Sequence, residues 1–197
     1  MVVDVGPCCP DYLPAHAHAD ALSYVLSVDS QPVVVDSGVY EYAEGRYRSY
    51  FRSTRAHNTV SLGSADQSEV WASFRVGRRA HTRILSFVSS DAHTLLQAEH
   101  DGYARRSSRV RHRRTILALP ADGAWLIWDD LWGKGIESSD SYVHLAPRLG
   151  ALELARGVYR VTDPDGCCLV DVTVVGADGT SVVHGAKTPD LQGWYSP

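Results

Sequence analysis

Short apolar segments, interrupted every few residues by turn-forming sequence, commit this chain to an all-β fold. Strand-like runs occur at residues 21–28, 31–36, 58–62, 68–76, 81–89, 94–100, 109–119, 125–131, 141–146, 158–162, 168–175 and 181–183. Between them recur Gly63-Ser64, Ser90-Asp91, Asp122-Gly123, Asp163-Pro164-Asp165-Gly166 and Ala177-Asp178-Gly179, residue types that tight turns select. No segment carries an apolar stripe at helical spacing. The strands differ in length and follow no fixed repeat, so a large antiparallel β-sandwich is predicted rather than a propeller. Residues 1–197 read as a single domain.

Composition narrows the classes further. Of 197 residues 44% are apolar and 21% charged, enough to bury one core. A net charge of −4 gives no general attraction to nucleic acid. No apolar run approaches the length of a membrane helix, so neither nucleic acid nor membrane is an expected partner. Met1-Val2-Val3-Asp4 lacks the basic start of a signal peptide. The sequence opens directly in strand-like residues and reads as a piece of a longer chain. Cys8-Cys9 and Cys167-Cys168 have neither a disulfide-scaffold density nor metal-knuckle spacing, and they are expected to be buried free thiols.

Chemistry concentrates in Pro14-Ala15-His16-Ala17-His18-Ala19-Asp20. In an extended strand, residues two apart share a face, which would set His16 beside His18. The apolar run Gln31–Asp36 ends on a carboxylate, costly there unless it is paired or meets a cation. His57 follows a Tyr- and Arg-rich loop. Imidazoles and a carboxylate from three neighbouring segments suit a borderline-soft divalent ion, zinc first. The same histidines are equally compatible with ordinary hydrogen-bond partners.

Longer stretches are more specific. His16-Ala-His-Ala-Asp-Ala-Leu-Ser23, Val35-Asp-Ser-Gly-Val-Tyr-Glu-Tyr42, Tyr50-Phe-Arg-Ser-Thr-Arg-Ala-His-Asn-Thr59, Gln67-Ser-Glu-Val-Trp-Ala-Ser-Phe-Arg75 and His100-Asp-Gly-Tyr103 together resemble the heparinase II/III-like polysaccharide lyases. Ala15, Ser37 and Val39 depart from the family's usual residues at loop positions. The resemblance implies a β-sandwich that follows an N-terminal α/α toroid absent from this chain, with the active site in the cleft between them. It implies a zinc ion on His18, Asp36 and His57, expected to be structural, and a catalytic role for His16. The implied substrate is an acidic polysaccharide cleaved by β-elimination, in a periplasmic or secreted setting. The family's catalytic tyrosine belongs mainly to the toroid, so this chain alone is expected to be inactive. A non-catalytic carbohydrate-binding module and a cupin-like metal enzyme are the competing readings.

Around that core, the loop from Tyr40 to Arg55 suggests a wall of the cleft. Tyr40, Tyr47 and Tyr50 are candidates for stacking on sugars, and Arg52 and Arg55 for pairing with carboxylate or sulfate. Asn58 is placed to lock the backbone beside His57. A basic run, residues 105–114, alternates Arg109, Arg111 and Arg113 on one strand face with Val110, His112 and Arg114 on the other. A basic exposed face is its expected role.

Overall fold

The computed structural model describes residues 1–104, 109–187 and 191–196. Strands β1 (Val2–Val3), β2 (Tyr24–Val28) and β3 (Gln31–Val34) form an antiparallel sheet with β2 in the middle. Helix α1 (Arg46–Arg52) follows, then β4 (Val60–Leu62) and a small hairpin of β5 (Val70–Trp71) and β6 (Arg75–Val76). The main meander is β7 (Thr82–Ser89), β8 (Thr94–His100), β9 (Arg111–Leu119) and β10 (Ala124–Trp132). Strand β11 (Ser139–Ser141) returns to pair with β4, and β12 (Gly150–Ala155), β13 (Val158–Thr162) and β14 (Cys168–Thr173) make a last antiparallel sheet. The core lies where three of these layers meet. Tyr24, Leu26, Val33, Val34 and Val161 are its buried centre, covered by Trp125 and Ile127 of β10 and by Leu169, Val170 and Val172 around β14. This is the predicted antiparallel sandwich.

Departures from the sequence reading have local causes. The stretch 68–76 is not one strand, because Ala72 takes a left-handed φ of 48° and folds it into the β5–β6 hairpin. Segment 150–155, Gly-Ala-Leu-Glu-Leu-Ala, is rich in helix formers, yet pairing with β13 makes it β12. Helix α1 is only seven residues long, too short for a periodic signal. Residues 181–183 form no strand, and 141–146 contributes the end of β11 and one bridge, Leu145 to Val34. Cys8 and Cys9 are half-buried, while Cys167 and Cys168 are exposed rather than interior.

Strand β9 shows how alternation builds the interior. Arg111 and Arg113 turn outward and meet Glu99, at 3.5 and 3.1 Å, so this part of the basic face is paired; Arg105 and Arg106 lie outside the described residues. His112 and Arg114 turn inward and are buried. Gly102 N–H donates to His100 Nδ1 at 3.1 Å, which leaves the proton of His100 on Nε2, facing His112 Nδ1 at 3.0 Å. His112 in turn donates from Nε2 to Asp129 Oδ1 at 2.7 Å. The bonding pattern thus assigns one tautomer to each ring.

Burial pushes His100 well below the ordinary histidine range and also lowers His112. It lowers His144 to about 4 and His18 to about 3. Of the shifted histidines His57 goes the other way, and the buried carboxyls Asp4, Asp20 and Asp66, raised by burial, offset part of the effect at the acid end. Unfolded histidines take up protons below about pH 6.5, whereas these four folded ones do not. The unfolded state therefore binds more protons there, and stability must fall as pH falls. Urea midpoints of the metal-free chain should drop steadily from about pH 7 to about pH 4.5. A flat profile over that interval would contradict the neutral, buried assignment.

Candidate functional site

The His-x-His strip is not a strand. Pro14, whose ring presets φ for a first helical position, opens a single 3-10 turn, Pro14–His16. His16 ends that turn on the surface, and extended backbone begins at Ala17. His16 and His18 consequently have different neighbours. The ring of His16 stands edge-on to Tyr42 and Phe74, at centroid distances of 5.7 and 6.3 Å. The ring of His18 lies 5.2 Å from that of His57. Helix α1 pins the strip in place: Arg52 Nε donates to Ala17 O at 3.1 Å, and Ala19 N–H donates to Arg52 O at 2.9 Å.

His57 follows a 3-10 turn, Thr54–Ala56, and is fully buried. Its Nδ1 lies 2.6 Å from Asp36 Oδ2. The other oxygen of Asp36 accepts the Gly38 N–H at 2.9 Å. Gly38 has φ of +90°, and a Cβ there would collide with the Ser196 carbonyl, so the glycine permits the turn that presents Asp36. The remaining nitrogen of His57, Nε2, is buried without a hydrogen-bond partner. An orphaned buried nitrogen is costly unless another group satisfies it.

Such a group has donors waiting. His18, Asp20 and His57 each offer one ligand atom, and these atoms lie within 4.8 Å of one another. Two imidazoles and a carboxylate around a gap of this size fit a zinc-like ion with a position left for water. The expected set from the resemblance was His18, Asp36 and His57; in this structure Asp36 bonds His57 Nδ1 and lies outside the His18, Asp20 and His57 group, a position from which a carboxylate can orient an imidazole. Asp20 carries the signal that sequence reading passed over: it continues the same every-second-residue strip as His16 and His18.

Asn58 fastens these segments together. Its Nδ2 donates to Tyr24 O and Val35 O, both at 2.8 Å, and its Oδ1 accepts the His144 N–H at 2.6 Å. The residues after Asp20, before Asp36 and beside His57 are thereby joined through one amide. His144, unremarked in the sequence, also bonds Arg55 O through Nε2 at 3.1 Å.

Charge around the site has clear causes. Burial holds His18 down, with the neighbouring His57 adding to it. Burial would also lower His57, but its bond to Asp36 together with the charges of Asp20, Asp36 and Asp66 raises it. Burial raises Asp20. Burial raises Asp36, but the His57 bond and charge, the Gly38 N–H and the His18 charge together hold it below the usual carboxylate range.

The expected cleft wall is only partly exposed. Tyr40 is exposed and packs on Tyr47 and Phe51, with centroids 5.0 and 5.9 Å apart. Tyr50 is buried with Phe51, Ala56 and Leu191. Arg52 is spent on backbone carbonyls, and Arg55 is half-buried. Of the five expected substrate contacts, Tyr50 and Arg52 therefore sit inside the fold.

Comparison with known proteins gives a consistent picture. The family described as heparinase II/III-like, C-terminal, matches residues 1–196. None of the curated proteins matches. Among solved structures, a mutant of heparan sulfate lyase HepC from Pedobacter heparinus is similar, with TM-score 0.64 and 16% identity over 83% of this chain and 23% of that one. A second structure of the same lyase gives TM-score 0.58 and 15% identity over 74% and 23%. At these identities the likeness speaks for the fold. The chain spans under a quarter of those proteins' length.

Proposed function

The chain belongs to the heparinase II/III-like family, as its C-terminal region, and from that premise we propose that it is the β-sandwich part of a lyase that cleaves uronic-acid-containing polysaccharide by β-elimination. Support comes above all from the orphaned Nε2 of His57, set among His18 and Asp20 with Asp36 behind it, a few residues from the exposed His16. An acidic polysaccharide is the substrate class that the named relatives suggest.

In that reaction the C5–H bond of the uronate breaks, its electron pair forms the C4=C5 double bond, and the C4–O bond to the neighbouring sugar breaks. A base takes the C5 proton and an acid returns a proton to the leaving oxygen. His16 is exposed at the end of its turn and can carry one of these protons. His18, Asp20 and His57 would hold zinc, which supplies a fixed positive charge and cross-links the segments that carry it. Arg52 and Asn58 orient the strip and the backbone around His57. The remaining acid–base and carboxylate-neutralising groups are proposed to lie in the rest of the full-length protein. This chain alone should then bind zinc and turn over little or no polysaccharide.

The test is the absorbance of unsaturated uronate with full-length protein and a panel of heparan sulfate, alginate and bacterial exopolysaccharide. Turnover of one of them is expected, falling about 10²- to 10⁴-fold in His16→Ala. No unsaturated product from any acidic polysaccharide would sink the assignment.

A further inference from the structure

The loop between β5 and β6 is held with unusual effort for a loop that ends in exposed rings. Two guanidinium groups from α1, Arg48 and Arg52, are each 1% exposed. Arg48 donates from Nε and Nη2 to Ser73 O at 3.0 and 2.9 Å. Arg52 donates to Trp71 O, Ala72 O and Arg75 O at 3.2, 2.9 and 3.1 Å. Among the described residues neither arginine has a carboxylate at ion-pair distance. Burying such cations is expensive, and what they fix is the position of Phe74.

Phe74 is nevertheless 46% exposed, and Tyr42, across from it, is 51% exposed. Their rings are stacked at 5.9 Å with an interplanar angle of 21°. The Arg48 guanidinium carbon lies 5.1 Å from the Tyr42 centroid and 5.7 Å from that of Phe74. His16 closes the patch edge-on to both rings. A core would cover these rings, and a solvated loop would not need two buried arginines beneath it. The arrangement is rigid and aromatic, and the unpaired cations under it make its surroundings positive.

We propose that Phe74 and Tyr42 form the platform of a subsite for an acidic pyranose, a uronate ring laid on the aromatic face next to His16. The class of ligand follows from the chemistry: the carbon–hydrogen face of a sugar packs on an aromatic ring, and the uncompensated guanidinium charge favours a carboxylate-bearing one. The inference rests on the β-elimination reading for the sugar class. It assigns to Phe74 a specificity that the lyase chemistry itself does not require.

The test titrates the chain with tetrasaccharides of heparan sulfate and of alginate, and with neutral cellotetraose, by calorimetry and by proton NMR of the aromatic rings. At least one acidic tetrasaccharide should bind more tightly than cellotetraose and shift the Phe74 and Tyr42 ring resonances. Phe74→Ala should weaken it about tenfold, and Phe74→Tyr should restore it. The ring shifts of the wild-type chain need no variant to fold. Zinc content measured alongside should be the same in all three proteins. Equal affinity in Phe74→Ala, unshifted rings, or failure of Phe74→Tyr to restore binding would overturn the platform. Acidic-sugar binding lost in Phe74→Ala, with no unsaturated product from full-length protein, would keep the platform and reject the lyase reading. Product without platform binding would do the reverse.

Discussion

Asp20→Asn should leave the purified chain nearly free of zinc, while Asp36→Asn should retain the ion and bind it more weakly. The contrast follows from which atoms are already engaged. Both oxygens of Asp36 are occupied, one by His57 Nδ1 at 2.6 Å and one by the Gly38 N–H at 2.9 Å. Asp20 offers an oxygen within 4.8 Å of donor atoms on His18 and His57. An amide in place of Asp20 removes the anionic ligand of a three-donor site. An amide in place of Asp36 leaves the ligands but misorients one imidazole, a change worth about 10- to 100-fold in affinity. Because such a three-donor site exists only in the folded chain, the loss should also appear as a smaller rise in unfolding temperature on adding zinc. Zinc content by atomic emission, set beside that thermal shift, reads both. Asp36→Asn emptying the site while Asp20→Asn stays loaded would return the ligand set to His18, Asp36 and His57, and would mean that Asp36 swings off Nδ1 when the ion arrives.

What the sequence could disclose depended on whether the constraint was local. Strand β8 (Thr94–His100) and strand β13 (Val158–Thr162) were legible residue by residue, because each is a short run with apolar residues bounded by turn residues. The inward and outward faces of β9 were legible for the same reason, and Arg111 and Arg113 do face outward. His16 was misplaced because its geometry is dictated by Pro14 two residues earlier, which ends the extended reading of the strip. Tyr50 and Arg52 were expected at the surface because a polar, aromatic loop was read as uniform. A seven-residue helix inside it turns those two side chains inward and leaves Tyr40 and Tyr42 out. Phe74 was hidden for a longer-range reason: its exposure is set by Arg48 and Arg52, more than twenty residues away in the chain.

Arg114→Met should be strongly destabilising. Arg114 Nε and Nη2 meet the two oxygens of Asp129 at 2.7 and 2.8 Å, a bidentate pair in an interior where Arg114 is 2% exposed. This guanidinium, together with the His112 bond, holds Asp129 well below the usual carboxylate range against the effect of burial. Removing it leaves a carboxylate that is only 18% exposed with only His112 to face, a loss of up to about 3–5 kcal/mol from a domain whose whole stability is about 5–15 kcal/mol. The third nitrogen carries the consequence to the site. Nη1 donates to Leu22 O at 2.8 Å and to Asn58 O at 2.6 Å, carbonyls two residues after Asp20 and one after His57. Zinc affinity should therefore fall with stability, although Arg114 touches none of the donors. Arg114→Met with Asp129→Leu removes the stranded charge as well, so it should recover much of the stability and little of the affinity, since Leu22 O and Asn58 O still lack their donor. Urea unfolding and zinc titration of both variants separate the two effects. A loss under about 1 kcal/mol in Arg114→Met would show that water reaches Asp129 and takes the guanidinium's place. Full recovery of zinc affinity in the double variant would show that the clamp on Leu22 and Asn58 does not shape the metal centre.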